Sequence, residues 1–140
     1  MAQVTVMKVV EGSAHIVIRV YLQSDGSGEL VNYPILAPSD LNPPRPNVNP
    51  TFRLMQIWGS GVWFDISIAS GTLSPLPIVT FARDCDFHMD FRGFGGLLDM
   101  DAYADPPVVD DGVLLLSTNN FVLGSQGSFF LELRKTNAPR

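Results

Sequence analysis

The stretch Asp84 to Arg92, D-C-D-F-H-M-D-F-R, decides the fold class of this 140-residue chain. Polar or charged residues alternate along it with apolar ones. A period of two predicts a β-strand with one face on a core and the other toward solvent or a partner. By the same alternation Cys85 points inward and His88 points outward, so these two side chains cannot form a nucleophile and base pair on this strand.

Apolar, β-branched segments recur along the rest of the chain between turns of glycine, proline and asparagine. They predict about eight short strands, no helix and one domain over residues 1–140, an all-β, jelly-roll-like β-sandwich. In the second strand the alternation places four apolar residues toward the core: Ile16, Ile18, Val20 and Leu22. The segments are Gln3–Glu11, Ala14–Gln23, Glu29–Leu36, Phe52–Trp58, Val62–Ala69, Ile78–Arg83 continuing into the alternating stretch, Gly112–Thr118, Phe121–Leu123 and Ser128–Lys135.

Two short glycine-containing turns predict β-hairpins. One lies at Gly12-Ser13 and the other at Gly59-Ser60-Gly61. Trp58 and Trp63 flank the second turn. We interpret these tryptophans as core or cross-strand packing residues, and the alternative is an aromatic anchor at an interface.

The segment Pro38 to Pro50, P-S-D-L-N-P-P-R-P-N-V-N-P, holds five prolines and three asparagines. Proline fixes φ and lacks an N–H donor, so this composition excludes a helix or a central strand and favours a stiff, extended path. Two interpretations follow from its length. It is either an arm that reaches a neighbouring molecule or a surface crossover between two sheets.

Composition and charge exclude several classes of function. The nine Lys and Arg residues do not cluster and the net charge is −5, so no basic patch for nucleic acid is expected. No apolar run of transmembrane length or secretory leader is evident, and residues 136–140 read as a loose polar tail. Charged residues make up only 16% of the chain, which fits a protein in an assembly as well as an ordinary compact β domain.

Three residues of the alternating strand, Asp86, His88 and Asp90, share one face and are the strongest candidates for metal ligands. A zinc site needs three or four convergent ligands, and the spacing does not supply them. We therefore expect a solvated strand face that is partly paired with arginine, from the set Arg19, Arg83 and Arg92. A second acidic group lacks the calcium-loop pattern and comprises Asp99, Asp101, Asp105, Asp110 and Asp111. We expect no metal, no cofactor and no enzymatic activity.

The whole chain resembles the cement (decoration) proteins that bind the outside of tailed-bacteriophage heads, including jelly-roll members from short-tailed phages. The resemblance rests on the chain length, the opening M-A-Q-V-T-V-M-K-V-V, the proline-rich Asn42–Pro46 segment and a β-rich core without catalytic motifs. It implies a structural protein of the virion, made in the host cytoplasm, that binds the major capsid protein and pairs with itself as a homodimer.

On this resemblance the proline-rich segment and the basic C-terminal residues are the candidate partner-binding residues. They are Asn42, Pro43, Pro44, Arg45, Pro46, Arg134, Lys135 and Arg140. Two alternatives remain open, a tail-associated β-sandwich and a carbohydrate-binding module that would use Trp58 or Trp63 as a sugar platform.

Overall fold

A computed structural model describes residues 2–47, 51–62, 64–81, 84–97 and 110–136. Two 3₁₀ turns, Pro38–Asp40 and Arg92–Phe94, are the helical elements of this part, and no helix in it is long and apolar enough to cross a membrane. The strands within these ranges are β1 (Gln3–Glu11), β2 (His15–Gln23), β3 (Tyr33–Leu36), β4 (Phe52–Val62), β5 (Asp65–Ser70), β6 (Leu76–Phe81), β7 (Asp84–Asp90), β8 (Leu114–Asn119) and β9 (Gln126–Lys135).

The strands form two antiparallel sheets. The five-stranded sheet has the order β1-β2-β9-β4-β7 and the four-stranded sheet the order β3-β8-β5-β6. The pairing is nested, because β2 pairs with β9, β3 with β8, β4 with β7 and β5 with β6. The chain is thus one long antiparallel hairpin, rolled so that β4 also meets β9 and β5 meets β8. This is a jelly roll with β1 added beside β2, and it confirms the all-β prediction.

The core lies between the two sheets. The four residues predicted to face it from β2, Ile16 to Leu22 at every second position, are fully buried. Phe64 and Phe121, from segments that connect strands, meet edge to face with their ring centroids 4.7 Å apart. Phe81 of β6 and Phe87 of β7 meet at 5.2 Å and join the two sheets along one side.

The alternating stretch forms β7, as predicted, and lies at an edge of the five-stranded sheet. Phe87 packs against the core and Phe91 is buried just beyond the strand. Met89 shares their predicted face but is 41% exposed. An edge strand has a neighbour on only one side, and apolar side chains on it are covered less completely.

The predicted hairpin at Gly59-Ser60-Gly61 is wrong. Strand β4 continues through these residues and pairs with both β7 and β9, and β5 belongs to the other sheet. A Cβ atom at Gly59 would lie 2.8 Å from the Cβ of Phe129 on β9. Gly59 therefore permits a close approach of two strands and does not form a turn.

Three smaller predictions also need correction. Residues 121–123 form no strand, because the chain turns there and Phe121 packs into the core. The third strand begins only at Tyr33, since the Glu29 carboxylate accepts the Phe121 N–H and the Thr118 hydroxyl instead of continuing a ladder. The proline-rich segment contains one 3₁₀ turn, Pro38–Asp40, because proline is tolerated at the first position of a helical turn.

We predict that Gly59→Ala lowers the free energy of unfolding by about 1 to 3 kcal/mol, because the added methyl group must displace Phe129 or the strand backbone. Urea denaturation followed by tryptophan fluorescence measures the change. Gly93→Ala is the matched control, since nothing lies within 4 Å of a Cβ placed there. Equal stabilities for the two variants would contradict the close approach at Gly59.

Candidate partner-binding surfaces

The described part of the proline-rich segment, residues 38–47, lies against one end of the sandwich. It connects β3 of the four-stranded sheet to β4 of the five-stranded sheet, and so forms the crossover that the sequence offered as one of two interpretations. The Arg45 N–H donates to the Pro38 carbonyl at 3.0 Å, and the Ser39 N–H donates to Asn47 Oδ1 at 3.1 Å. The Arg45 Nη2 donates to the carbonyl of Ser13 in the β1–β2 turn at 3.0 Å.

A buried ion pair fixes this crossover to the sheet. Lys135 Nζ, whose side chain is fully buried, lies 2.8 Å from Glu11 Oε2 and also donates to the Gly12 carbonyl at 2.7 Å. The Asn42 N–H donates to the same Glu11 oxygen at 2.6 Å. Lys8 Nζ lies 3.1 Å from Glu11 Oε1. We call Glu11, Lys8, Asn42 and Lys135 the Glu11 clamp, because the one carboxylate holds β1, β9 and the crossover together.

The surroundings of Glu11 favour its ionised form. Burial by itself raises the pKa of this carboxyl, but the hydrogen bonds from the Asn42 N–H and the two lysines outweigh it. Together they lower the pKa from 4.5 to about 2. The clamp is therefore charged and closed at neutral pH.

The candidate partner-binding residues divide by exposure. Arg45 and Lys135 are buried, 7% exposed each, so these two cations have no free charge to offer a partner surface. The crossover leaves Asn42, Pro43 and Pro44 exposed and Pro46 half-buried. Arg134 is exposed. Residue Arg140 lies outside the described residues, as do Trp63, Arg83, Asp99, Asp101 and Asp105.

The outer face of the five-stranded sheet carries a row of side chains that crosses all five strands. Strand register aligns them in the order Met7, Arg19, Phe130, Trp58 and His88. We call this set the central row. It combines aromatic residues and arginine, the residue types that are enriched where proteins bind one another.

The aromatic residues of the central row are packed against each other. The Trp58 and Phe130 rings are stacked with their centroids 5.4 Å apart and their planes 8° apart. On the other side of Trp58, the His88 ring stands nearly perpendicular at 6.3 Å. This confirms cross-strand packing for Trp58, and both flanks of the indole have a neighbour. A shallow groove of about 450 Å³ lies beside the pair, lined by Gln56, Gly59 and Ser128 among others.

A second row lies toward the end of the same face. Arg134 on β9 is directly opposite His15 on β2 and Arg53 on β4. We call these three residues the basic row. The Arg53 Nε donates to the Gly95 carbonyl at 2.7 Å, which is a neutral acceptor. Within the described part of the chain, Arg134 has no ion-pair partner.

Asp90 of the alternating strand is paired with an arginine, as the sequence suggested. Arg92 binds Asp90 through two nitrogens, with Nη2 2.6 Å from Oδ2, and this hydrogen bonding lowers the pKa of Asp90 to about 2. His88 Nε2 lies 2.9 Å from Gln56 Oε1. At Asp90 the strand thus has the expected arginine partner, which is Arg92, whereas the side chain of Asp86 lies outside the described part of the structure.

Two of the five acidic residues considered for calcium bind backbone instead. The buried Asp110 accepts the N–H groups of Leu73 and Ser74, and Asp111 accepts the Thr72 N–H and hydroxyl. Burial raises the pKa of Asp111, but the hydrogen bonds from Thr72 and from the Val113 N–H, among others, together lower it further than burial raises it. Among the residues that the structure describes, no three His, Cys, Asp or Glu side chains are grouped to hold a metal ion.

Fold and surfaces together define a jelly-roll β-sandwich with a clamped crossover at one end and an aromatic and basic outer face. Comparisons with protein-family models, with curated proteins and with solved structures give no match to this chain.

Sequence reasoning missed Glu11, the central row and the basic row. Each depends on register, because residues far apart in the chain become neighbours only once strands pair. One signal was available, since Arg134 and Lys135 are consecutive in a strand and must therefore point to opposite faces. That alternation separates an outward arginine from an inward lysine.

We predict that Glu11→Gln lowers the free energy of unfolding by roughly 3 kcal/mol near neutral pH, because it leaves the Lys135 ammonium buried without a carboxylate. The pKa of Glu11 is about 2 in the folded protein against 4.5 for the unperturbed group. Its contribution to stability is therefore complete above pH 4.5 and is lost as the pH falls toward 2. Urea titrations near neutral pH and at about pH 3 measure both effects.

Asp90→Asn is the matched control for this prediction, because it removes one carboxylate from an exposed ion pair with Arg92. We expect a much smaller loss than for Glu11→Gln. The Glu11→Gln variant should also lose less stability on acidification than the wild type. If acidification destabilised the wild type and Glu11→Gln equally, the clamp would not be the source of the acid sensitivity.

Proposed function

We propose that this protein is a structural component of a virion, a cement protein that binds the outer surface of a phage head and stabilises contacts between major capsid protein subunits. It acts without catalysis and without a cofactor. The observation that carries the proposal is the outer face of the five-stranded sheet, where the central row presents Trp58, Phe130 and Arg19 across neighbouring strands. The resemblance to cement proteins supports the same role.

The mechanism follows from mass action. A protein that binds only the assembled shell stabilises that shell, by an amount per site that grows with its free concentration relative to Kd. A regular shell repeats the binding site many times, so the contributions add up over the whole particle. A rigid partner loses less conformational entropy on binding than a flexible one. The clamped crossover, with Pro43 and Pro44 exposed on it, supplies a rigid surface of that kind.

A saturable count of bound molecules tests the proposal. We expect purified protein to co-sediment with heads that lack it and to saturate at a copy number set by the symmetry of the shell. Heads that already carry the protein are the control and should bind no more of it. Absence of binding, or uptake that never saturates, would contradict the proposal.

We propose that the protein also pairs with itself, through the edge strand β1. The other edges carry features that discourage strand pairing, because β3 has four residues with Pro34, β6 contains Pro77 and β7 carries several acidic residues. Strand β1 has nine residues and no proline, and residues 3–7 are uncharged. Its one lysine, Lys8, is turned toward Glu11 and the Asp40 carbonyl. Two β1 strands can therefore pair about a two-fold axis without opposed charges.

We predict that the double variant Thr5→Lys/Met7→Lys is monomeric at concentrations where the wild type is a dimer. Both side chains are exposed, and pairing β1 with a second copy would place their charges close together. Analytical ultracentrifugation measures the change. Val122→Lys, at a position 66% exposed and distant in sequence from β1, is the control and should remain a dimer. A dimer that survives the double variant would exclude the β1 edge.

A further inference from the structure

The basic row is an unusual arrangement for a free surface. Arg134 and Arg53 are directly opposite on neighbouring strands, where like charges destabilise a sheet. His15 occupies the position opposite Arg134 on the other side. The chain as a whole has a net charge of −5, so carboxylates are plentiful elsewhere in it. The opposed charges of the basic row therefore lower the stability of the isolated protein. A partner with carboxylates at this position would neutralise them.

Of the other described cations, Arg19 lies in the central row on the same outer face, and the remaining four have partners elsewhere or are buried. Lys8 and Lys135 belong to the Glu11 clamp, and Arg92 pairs with Asp90. Arg45 is buried in the crossover. The exposed, uncompensated positive charge of the described residues is thus concentrated on the outer face of the five-stranded sheet.

A groove adjoins the basic row. It has a volume of about 330 Å³ and is lined by Val10, Ala14, Val17, His15 and Glu132 among others. Val10 is 62% exposed, so the apolar wall of the groove is open to solvent. A groove of this size accommodates one or two apolar side chains beside the basic residues.

We propose that the basic row and this groove together bind an acidic segment of a partner protein, with carboxylates on Arg134 and Arg53 and an apolar side chain in the groove. The distribution of charge on this face favours a protein segment over a nucleic acid as the ligand. Glu132 lies on the same face two residues from Arg134, and Asp90 lies further across the same sheet. These carboxylates would repel a continuous polyanion such as a nucleic acid, whereas a protein segment can place its charges only where the arginines are.

This inference rests on the proposed function only for the identity of the partner, which would be the major capsid protein. The sequence suggested Arg134, Lys135 and Arg140 as the basic C-terminal binding residues; among the described residues the inference keeps Arg134, drops Lys135 and adds Arg53 and His15. Lys135 faces the interior of the sandwich, whereas the three residues of the basic row share the outer face.

The stability of the free protein gives the first test. Arg134→Gln should raise the melting temperature by about 1 to 3 °C at low ionic strength, because it removes the charge opposed to Arg53. The gain should shrink in about 1 M salt, where exposed charges are screened. Arg92→Gln is the matched control and should not raise the melting temperature, since it breaks the pair with Asp90. A lower melting temperature for Arg134→Gln would overturn the argument from opposed charges.

Binding gives the second test, with a ten-residue glutamate-rich peptide that carries a central leucine as the probe. Wild type and Arg92→Gln should bind it equally, and Arg134→Glu should bind it at least about tenfold more weakly. Equal binding by Arg134→Glu would overturn the proposal. So would preference for a DNA duplex of equal charge over the peptide, or self-association of the wild type that Arg134→Glu abolishes.

Co-sedimentation with heads separates the two proposals. If the wild type binds heads and Arg134→Glu binds equally well, the acidic-segment inference fails while the cement function stands. If the wild type binds the peptide through Arg134 but not the heads, the cement function fails while the inference stands. Loss of head binding in Arg134→Glu, with its fold retained by circular dichroism, supports both.

Discussion

The buried ammonium group of Lys135 is the constraint on which one end of this molecule depends. A charge removed from water requires a counter-charge and further hydrogen-bond partners. Here the Glu11 carboxylate and the Gly12 carbonyl, at the end of β1, and the Asn42 carbonyl, in the crossover, supply them. One lysine thereby determines where β1, β9 and the proline-rich crossover lie relative to each other. The crossover owes its fixed position to this group as much as to its prolines.

The two consecutive basic residues of β9, Arg134 and Lys135, point to opposite faces of the sheet. Lys135 turns into the sandwich and contributes to stability, while Arg134, its neighbour in the chain, is exposed on the outer face. Consecutive residues on a strand always divide in this way. The outer face of the five-stranded sheet consequently combines the central row and the basic row on a scaffold whose register is set from the inside. The inner face of this sheet thus carries the residues that stabilise the fold, and the outer face carries the two rows that we propose as binding surfaces.

The sequence predicted the features that depend on local interactions and missed those that depend on contacts between distant segments. Alternation along Ile16 to Leu22 and along Asp84 to Arg92 identified β2, β7 and the all-β class, because burial on one face of a strand is a local property. The glycines at 59 and 61 suggested a turn, since a close approach to Phe129 on a distant strand leaves no local signal. Arg45 looked like a free cation for a related reason. Its acceptor, the Ser13 carbonyl, is 32 positions away and comes near only through the crossover.

The nested pairing of the strands has a consequence for how the molecule acquires its outer face. β2 and β9 are adjacent in the sheet but are joined through nearly the whole jelly roll, and His15 lies opposite Arg134. Contacts of such long sequence separation form slowly, because most of the intervening chain must be ordered first. The central and basic rows both draw residues from β9, so neither exists on a nascent chain until that strand has been made and docked. A partner that binds through these rows, as proposed, can therefore attach only to a chain in which β9 has docked.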